Sequence, residues 1–199
     1  MTESELKEKL TEAVASVEGR SRVEVVVALA GASDSYPEVS LAAALLAGAV
    51  MLFAVVFSPV VVPEGWVVVL VVLAQLAVAG LLRLPLLKRA LLAPARARLQ
   101  VTRAAAEVFY DRGLSQTRDR SALLVYVSLL EREVRWLPDV GVLAGLGRGP
   151  FNQWEHRLAG LSPGPDLLEC LAELQELCEK ALPRREDDED EIVESILEL

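Results

Sequence analysis

The side chains able to act as acid, base or metal ligand are scattered along this 199-residue chain. A divalent cation needs several convergent oxygens, and acid–base catalysis needs a carboxylate or imidazole beside the reacting atom. The carboxylates with that potential are Asp34, with Tyr36 close by, then Asp111, Asp119 and Asp139. Asp34 and Asp139 each follow an expected strand. They would converge on a cation or a phosphate ester if both strands ended on one edge of the sheet, where open α/β sheets gather ligands. The competing reading is an ordinary turn or cap, which Asp fills readily. His156, the single histidine, stands beside Trp154 on an amphipathic stretch and reads as a surface or packing residue. No Ser/His/Asp arrangement and no phosphate-cradling glycine loop stands out, so the sequence asks for no cofactor and leaves only a divalent cation open.

The two cysteines add no chemistry. Cys170 and Cys178 lie on an expected helix, about 12 Å apart along its axis, too far for a bridge or a shared metal. Cys178 opens the string CEKALPR, a C-x5-R spacing like that of cysteine phosphatases. Such a loop needs small residues that free successive backbone N–H groups around a phosphate, and this string has no glycine and starts inside a helix.

The elements that must position these residues are dominated by a long apolar block. Between Glu38 and Arg83 the only charged residue is Glu64, and the block divides at Pro63-Glu64-Gly65. A bilayer core of about 30 Å needs roughly 20 apolar helical residues, which Val39–Val62 exceeds and Trp66–Leu82 just meets. The pattern predicts a transmembrane hairpin, with Pro59 kinking or ending the first helix and Gln75 bonding a neighbouring helix. Ala43, Ala44, Ala47 and Gly48 offer a small-residue surface for helix contacts. Arg83, Lys88, Arg89, Arg96, Arg98 and Arg103 follow with no acid among them, so the positive-inside rule places both termini in the cytoplasm and the Pro-Glu-Gly turn outside. No cleavable leader is visible in the first forty residues.

Around the block the chain reads as one α/β (α+β) domain, a small sheet flanked by helices. Thr2 and Glu5 make a capping box, and Leu6, Leu10, Val14 and Val17 repeat at helical spacing up to Gly19. Arg22–Ala30 is a near-continuous β-branched run, expected of a strand covered on both faces. Pro85 and Pro94 punctuate a basic segment before a helix of Arg96–Arg112, with Leu99, Ala106 and Phe109 facing a core and Gly113 as C-cap. Ala122–Leu129 and Val134–Leu137 form a β-hairpin around a Glu131-Arg132 tip. Helices follow near Phe151–Leu161 and Asp166–Leu182. The organisation is 1–37 and 86–183 as two parts of one domain, 38–85 as the membrane hairpin, and 184–199 as a tail.

The run from Phe109 to Val142 carries a resemblance. Gly113-Leu114, Thr117, Arg118 or Arg120, Val127-Ser128, Glu131-Arg132 and Asp139-x-Gly141, set after a capped helix, an apolar strand and an apolar hairpin, resemble the TPM-domain family. The likeness is narrower to its bacterial membrane members with a transmembrane hairpin inserted in the domain, and covers residues 2–183. The chain departs at Ser121 and Pro138, and in the Gly145, Gly147, Gly149 and Arg148 stretch after the motif. The resemblance implies a TPM-like fold, a two-pass protein of the bacterial inner membrane, and for some members divalent-ion binding or phosphate-ester hydrolysis at one end of the sheet.

The tail from Arg184 to Leu199 holds eight acids against Arg184 and Arg185, six of the chain's nine net negative charges. Ile192, Val193, Ile196, Leu197 and Leu199 recur at helical spacing, the pattern of a segment that folds into a partner's groove. Phosphate would be repelled, which argues against nucleic acid. The expected function is a non-catalytic interaction, assembly or regulatory module for another membrane protein or complex, with the lipid bilayer as first partner and Ile192, Val193, Ile196 and Leu197 as partner-binding residues. The alternative is a divalent-metal-dependent phosphatase-like enzyme using carboxylates near Asp34 and Asp139.

Overall fold

Residues 3–160, 164–185, 192 and 195–199 are described by a computed structural model of the chain. Thr2 of the capping box, Val193 and the acidic run 186–191 lie outside the described residues. The chain divides into two compact units, one of residues 1–34 with 97–199 and one of residues 35–96. Residues 86–96, which the sequence pattern assigns to the domain, group with the apolar hairpin instead.

The first unit is a mixed α/β fold built on a four-stranded sheet. Helix α1 (Glu3–Arg20) leads into strand β1 (Glu24–Ala30). Helix α5 (Pro94–Asp111) leads to β2 (Ala122–Ser128) and β3 (Glu133–Pro138). Three helices follow, α6 (Val140–Leu146), α7 (Gly149–Leu158) and α8 (Pro165–Ala181), and a last strand, β4 (Ile196–Glu198). The strand order is β3-β2-β1-β4. β1 runs parallel to β2 and to β4, while β2 and β3 are antiparallel.

All seven residues of β1 and all seven of β2 are buried, which explains their unbroken apolar reading. Alternate side chains enter opposite layers because successive residues of a strand point to opposite faces. Val25, Val27, Leu123 and Val125 pack with Leu10, Val14 and Val17 of α1, Leu171 and Leu174 of α8, and Trp154 of α7. Val26, Ala28, Leu124 and Tyr126 pack with Val101, Ala105 and Phe109 of α5. Each fully buried Val or Leu contributes roughly 1.5–3 kcal/mol.

Several expectations shift in detail. On α5 the buried stripe is Ala97, Val101, Ala105 and Phe109, an i, i+4 series, so Leu99 falls off it and stays half exposed. Gly113 closes α5 at φ 66°, a left-handed position that suits a glycine C-cap. Helix α6 was not legible from its glycine-rich sequence. The tail forms a strand where helical spacing suggested a helix: β4 pairs Val27 with Ile196, Ala28 with Leu197 and Leu29 with Glu198. The pattern Ile-x-x-x-Ile-Leu fits both periods, and the uncovered edge of β1 decides for the strand.

The second unit holds α2 (Pro37–Val56), α3 (Glu64–Leu81) and the short α4 (Pro85–Leu91). Both α2 and α3 are long and apolar enough to cross a membrane. α2 stops three residues before Pro59, as a proline's missing N–H and ring clash require. The two helices pack where Gly48 faces Gln75. A Cβ on Gly48 would fall 2.9 Å from Gln75 Cγ, so the glycine makes room for the amide chain of the facing helix.

Candidate functional site

Asp139 is buried to 5% exposure, and its carboxylate is fully engaged. Oδ1 accepts from the Val140 N–H at 2.7 Å, capping α6, and from Arg120 Nη2 at 2.9 Å, while Oδ2 accepts from Arg120 Nε at 2.7 Å. This two-pronged pair pushes the Arg120 guanidinium further up, first through the hydrogen bond and then through the Asp139 charge. Arg120 holds a left-handed backbone at φ 53°, and its carbonyl accepts from the Gly141 N–H at 2.9 Å. A Cβ on Gly141 would stand 2.7 Å from the Arg120 carbonyl oxygen and closer still to that of Asp119. The Asp-x-Gly motif is therefore a clamp between the loop before β2 and the start of α6. A cation at Asp139 would have to displace Arg120.

Asp34 and Asp139 do not converge. Asp34 follows the C-terminal end of β1, where Ala30 pairs with Ser128. Asp139 follows β3, which is antiparallel to β2 and ends beside Leu123. The two carboxylates lie beyond opposite edges of the sheet, separated by a strand length of about 20 Å. The condition for a shared ion or phosphate site is unmet because β3 reverses direction. Among the described residues no group of three or more His, Cys, Asp or Glu side chains is placed to hold a metal ion.

The edge near Asp34 holds a polar cluster the sequence shows only as the Val-Ser and Glu-Arg spacings. Gln100 donates to Asp34. Glu131, at 6% exposure, accepts from the Ser33 N–H at 3.1 Å and from the Ser128 hydroxyl. Ser33 Oγ lies 3.0 Å from Ser128 Oγ and 3.4 Å from the Tyr126 hydroxyl. Burial pushes the Tyr126 phenol up; the Ser33 bond opposes this, and the charges of Glu131 and Glu107 reinforce it. The phenol stays protonated at neutral pH, so the cluster fixes the tip of the β2–β3 hairpin, where Arg132 turns at φ 52°.

A small cleft of about 160 Å³ is lined by Arg98, Glu133, Arg135, Asn152, Glu155 and His156. Its charges are paired: Arg98 Nε to Glu133 at 3.2 Å and Arg135 Nη1 to Glu155 at 2.5 Å. Glu155 also accepts from the Trp136 N–H, which ties α7 to β3. His156 lines this cleft, and Asp111 and Asp119 lie elsewhere; Asp119 pairs with Arg22 and Arg185.

The thiols are packed away. Cys178 is fully buried and its thiol is pushed up to about 12 by burial, with a bond from Ser21 opposing. Cys170 is raised by burial against the pull of Arg157, whose Nη2 lies 2.8 Å from its sulfur. Arg184 donates to the Glu18 carbonyl, so the CEKALPR string forms no anion cradle.

Of the expected partner-binding residues, Ile192 and Ile196 pack partly buried against the domain's own core layers, and Leu197 is buried. Among the described residues most of the exposed large apolar side chains belong to α2 and α3. Leu46 and Phe53 are each 65% exposed, and Val68 is 66% exposed.

No family model and no curated protein matches the chain. Among solved structures it is similar to the NMR structure of BA42 from the psychrophilic bacterium Bizionia argentinensis, with 13% identity over 98% of this chain and 94% of that one, at a TM-score of 0.49.

Proposed function

We propose that this chain is a membrane-anchored TPM-like protein, held by a two-pass hairpin in a bacterial inner membrane with both termini in the cytoplasm, that serves another membrane protein or complex as a non-catalytic assembly or regulatory module. One observation carries the reading. Two consecutive helices of 20 and 18 residues present apolar side chains outward on nearly every face, with a single buried residue between them. Water is a poor solvent for that surface and hydrocarbon a good one. Glu38 and Glu64, the only charged residues of α2 and α3, stand in their first turns. The basic run from Arg83 to Arg103 supports the cytoplasmic assignment.

Partner contact is assigned to the tail and the sheet edge beneath it. β4 is three residues long and covers only Val27–Leu29 of β1. A partner strand replacing it would meet the same backbone donors and acceptors and would release Ile192, Ile196 and Leu197. Crosslinking in native membranes, then purification in mild detergent with and without residues 184–199, tests this. A membrane protein captured by the full chain and lost without the tail supports the reading. Capture of none counts against it.

A further inference from the structure

Helix α4 follows α3 after three residues, and the sequence pattern gave no helix there. Leu84 at the N-cap and Leu87 and Leu91 within the helix recur at i, i+3 and i+7, and they are 55%, 42% and 54% exposed. Lys88 Nζ reaches the Ser35 carbonyl and lies 5.9 Å from the Tyr36 ring centroid, which ties α4 to the residues just before α2. α4 therefore sits at the end of the hairpin where α2 begins and α3 finishes. Along the sequence the charge has one sign: from Gly65 to Ala106 the chain has no acid, while Arg83, Lys88 and Arg89 stand among the leucines, and Glu38 at the start of α2 pairs with Arg96 at 2.7 Å. Among the described residues neither Arg83 nor Arg89 has a salt-bridge partner.

We propose that α4 is an interfacial helix that docks on the anionic surface of the bilayer holding α2 and α3. Leu84, Leu87 and Leu91 enter the boundary between headgroups and acyl chains, and Arg83 and Arg89 bind lipid phosphates. The inference rests on the membrane reading above and deepens it by naming the lipid chemistry. Arg89, two residues from both Leu87 and Leu91, stands on the opposite face of α4, and an apolar face backed by a basic one is the pattern of helices that lie in the interface plane. Continuity with α3 removes most of the entropic cost of reaching that surface, because a three-residue link keeps α4 within a turn of the bilayer. Each basic residue near an anionic leaflet is worth a factor of about five in the docked-to-undocked ratio.

The test places a nitroxide on Leu87→Cys in the full-length chain. The parent protein serves as labelling control because both native thiols are buried, and Leu73→Cys in mid-α3 reports the hairpin separately. Collision with oxygen and with a water-soluble nickel chelate is measured in nanodiscs of phosphatidylcholine alone and with phosphatidylglycerol. The Leu87 label should be oxygen-accessible and shielded from nickel in anionic discs. It should move towards water in neutral discs, and in Arg83→Gln/Arg89→Gln the docked-to-undocked ratio should fall about 25-fold in anionic discs. A Leu87 label open to nickel in every disc, with the Leu73 label in lipid, overturns the proposal and leaves the membrane reading standing. Both labels open to nickel would overturn both. A Leu87 label buried regardless of headgroup, or shielded from both agents as by a protein contact, also overturns it.

Discussion

Replacing Asp139 separates the two roles its carboxylate can play. In Asp139→Ala the cap on α6 disappears, a loss of about 1 kcal/mol. The pair with Arg120 disappears as well. That pair adds only in part to the loss, because the Arg120 side chain is 52% exposed and water re-solvates it. The cap alone lowers Tm by roughly 2–4 °C for a chain of this size, and the lost pair deepens the fall. Asp139→Asn keeps an oxygen for the Val140 N–H and loses only the charge, so its cost should be smaller than that of Asp139→Ala. Thermal unfolding of the full chain in detergent, followed by tryptophan emission, reads both, since Trp136 lies on β3 next to the clamp. Equal Tm values for parent, Asn and Ala variants would refute the clamp. So would a rise in Tm of the parent with magnesium or calcium that Asp139→Asn abolishes, because that result would restore the carboxylate as a cation ligand.

Three further outcomes follow from the same geometry. Gly141→Ala should cost about 2 kcal/mol, since its methyl meets backbone carbonyls that cannot swing aside as a side chain could; a Tm within a degree of the parent would contradict this. Leu197→Asp should strip β4 from the sheet and speed amide exchange at Val27 and Gly31, which donate to Ser195 and Leu199, while the amides between β1 and β2 keep their protection; unchanged exchange at Val27 would oppose the strand assignment. The buried Cys178 thiol is raised from 9.0 to about 12. Its contribution to stability is therefore complete below pH 9 and is lost as pH rises from there towards 12, by about 1.4 kcal/mol per unit. Iodoacetamide at pH 8 should leave Cys178 unmodified until the protein unfolds, and rapid labelling of the folded chain would contradict the burial.

The elements were legible in the sequence where one physical signal dominated. Leu6, Leu10, Val14 and Val17 mark the buried face of α1, and the run from Val25 to Ala30 reads as a strand covered on both sides. The two apolar helices were visible for the same reason, since neither offers a polar stripe. Ambiguity entered where periods overlap or partners are remote. The apolar residues of the tail fit a helix as well as a strand, and only the open edge of β1 selects between them. Leu99 looked like core by composition, but Val101 and Ala105 fix the buried stripe of α5. The candidate site was the least legible part. Whether Asp34 and Asp139 share an edge depends on the direction of β3, and nothing local to either residue encodes that. Nor does the sequence pair Asp139 with Arg120, nineteen residues earlier, although the Asp-x-Gly spacing already marked the place.

Alkaline carbonate extraction of membranes from cells making the full chain tests the central claim most directly. A bilayer-spanning hairpin predicts that the protein stays in the membrane pellet at high pH and is released only by detergent. Recovery of the intact chain in the carbonate supernatant would contradict the account.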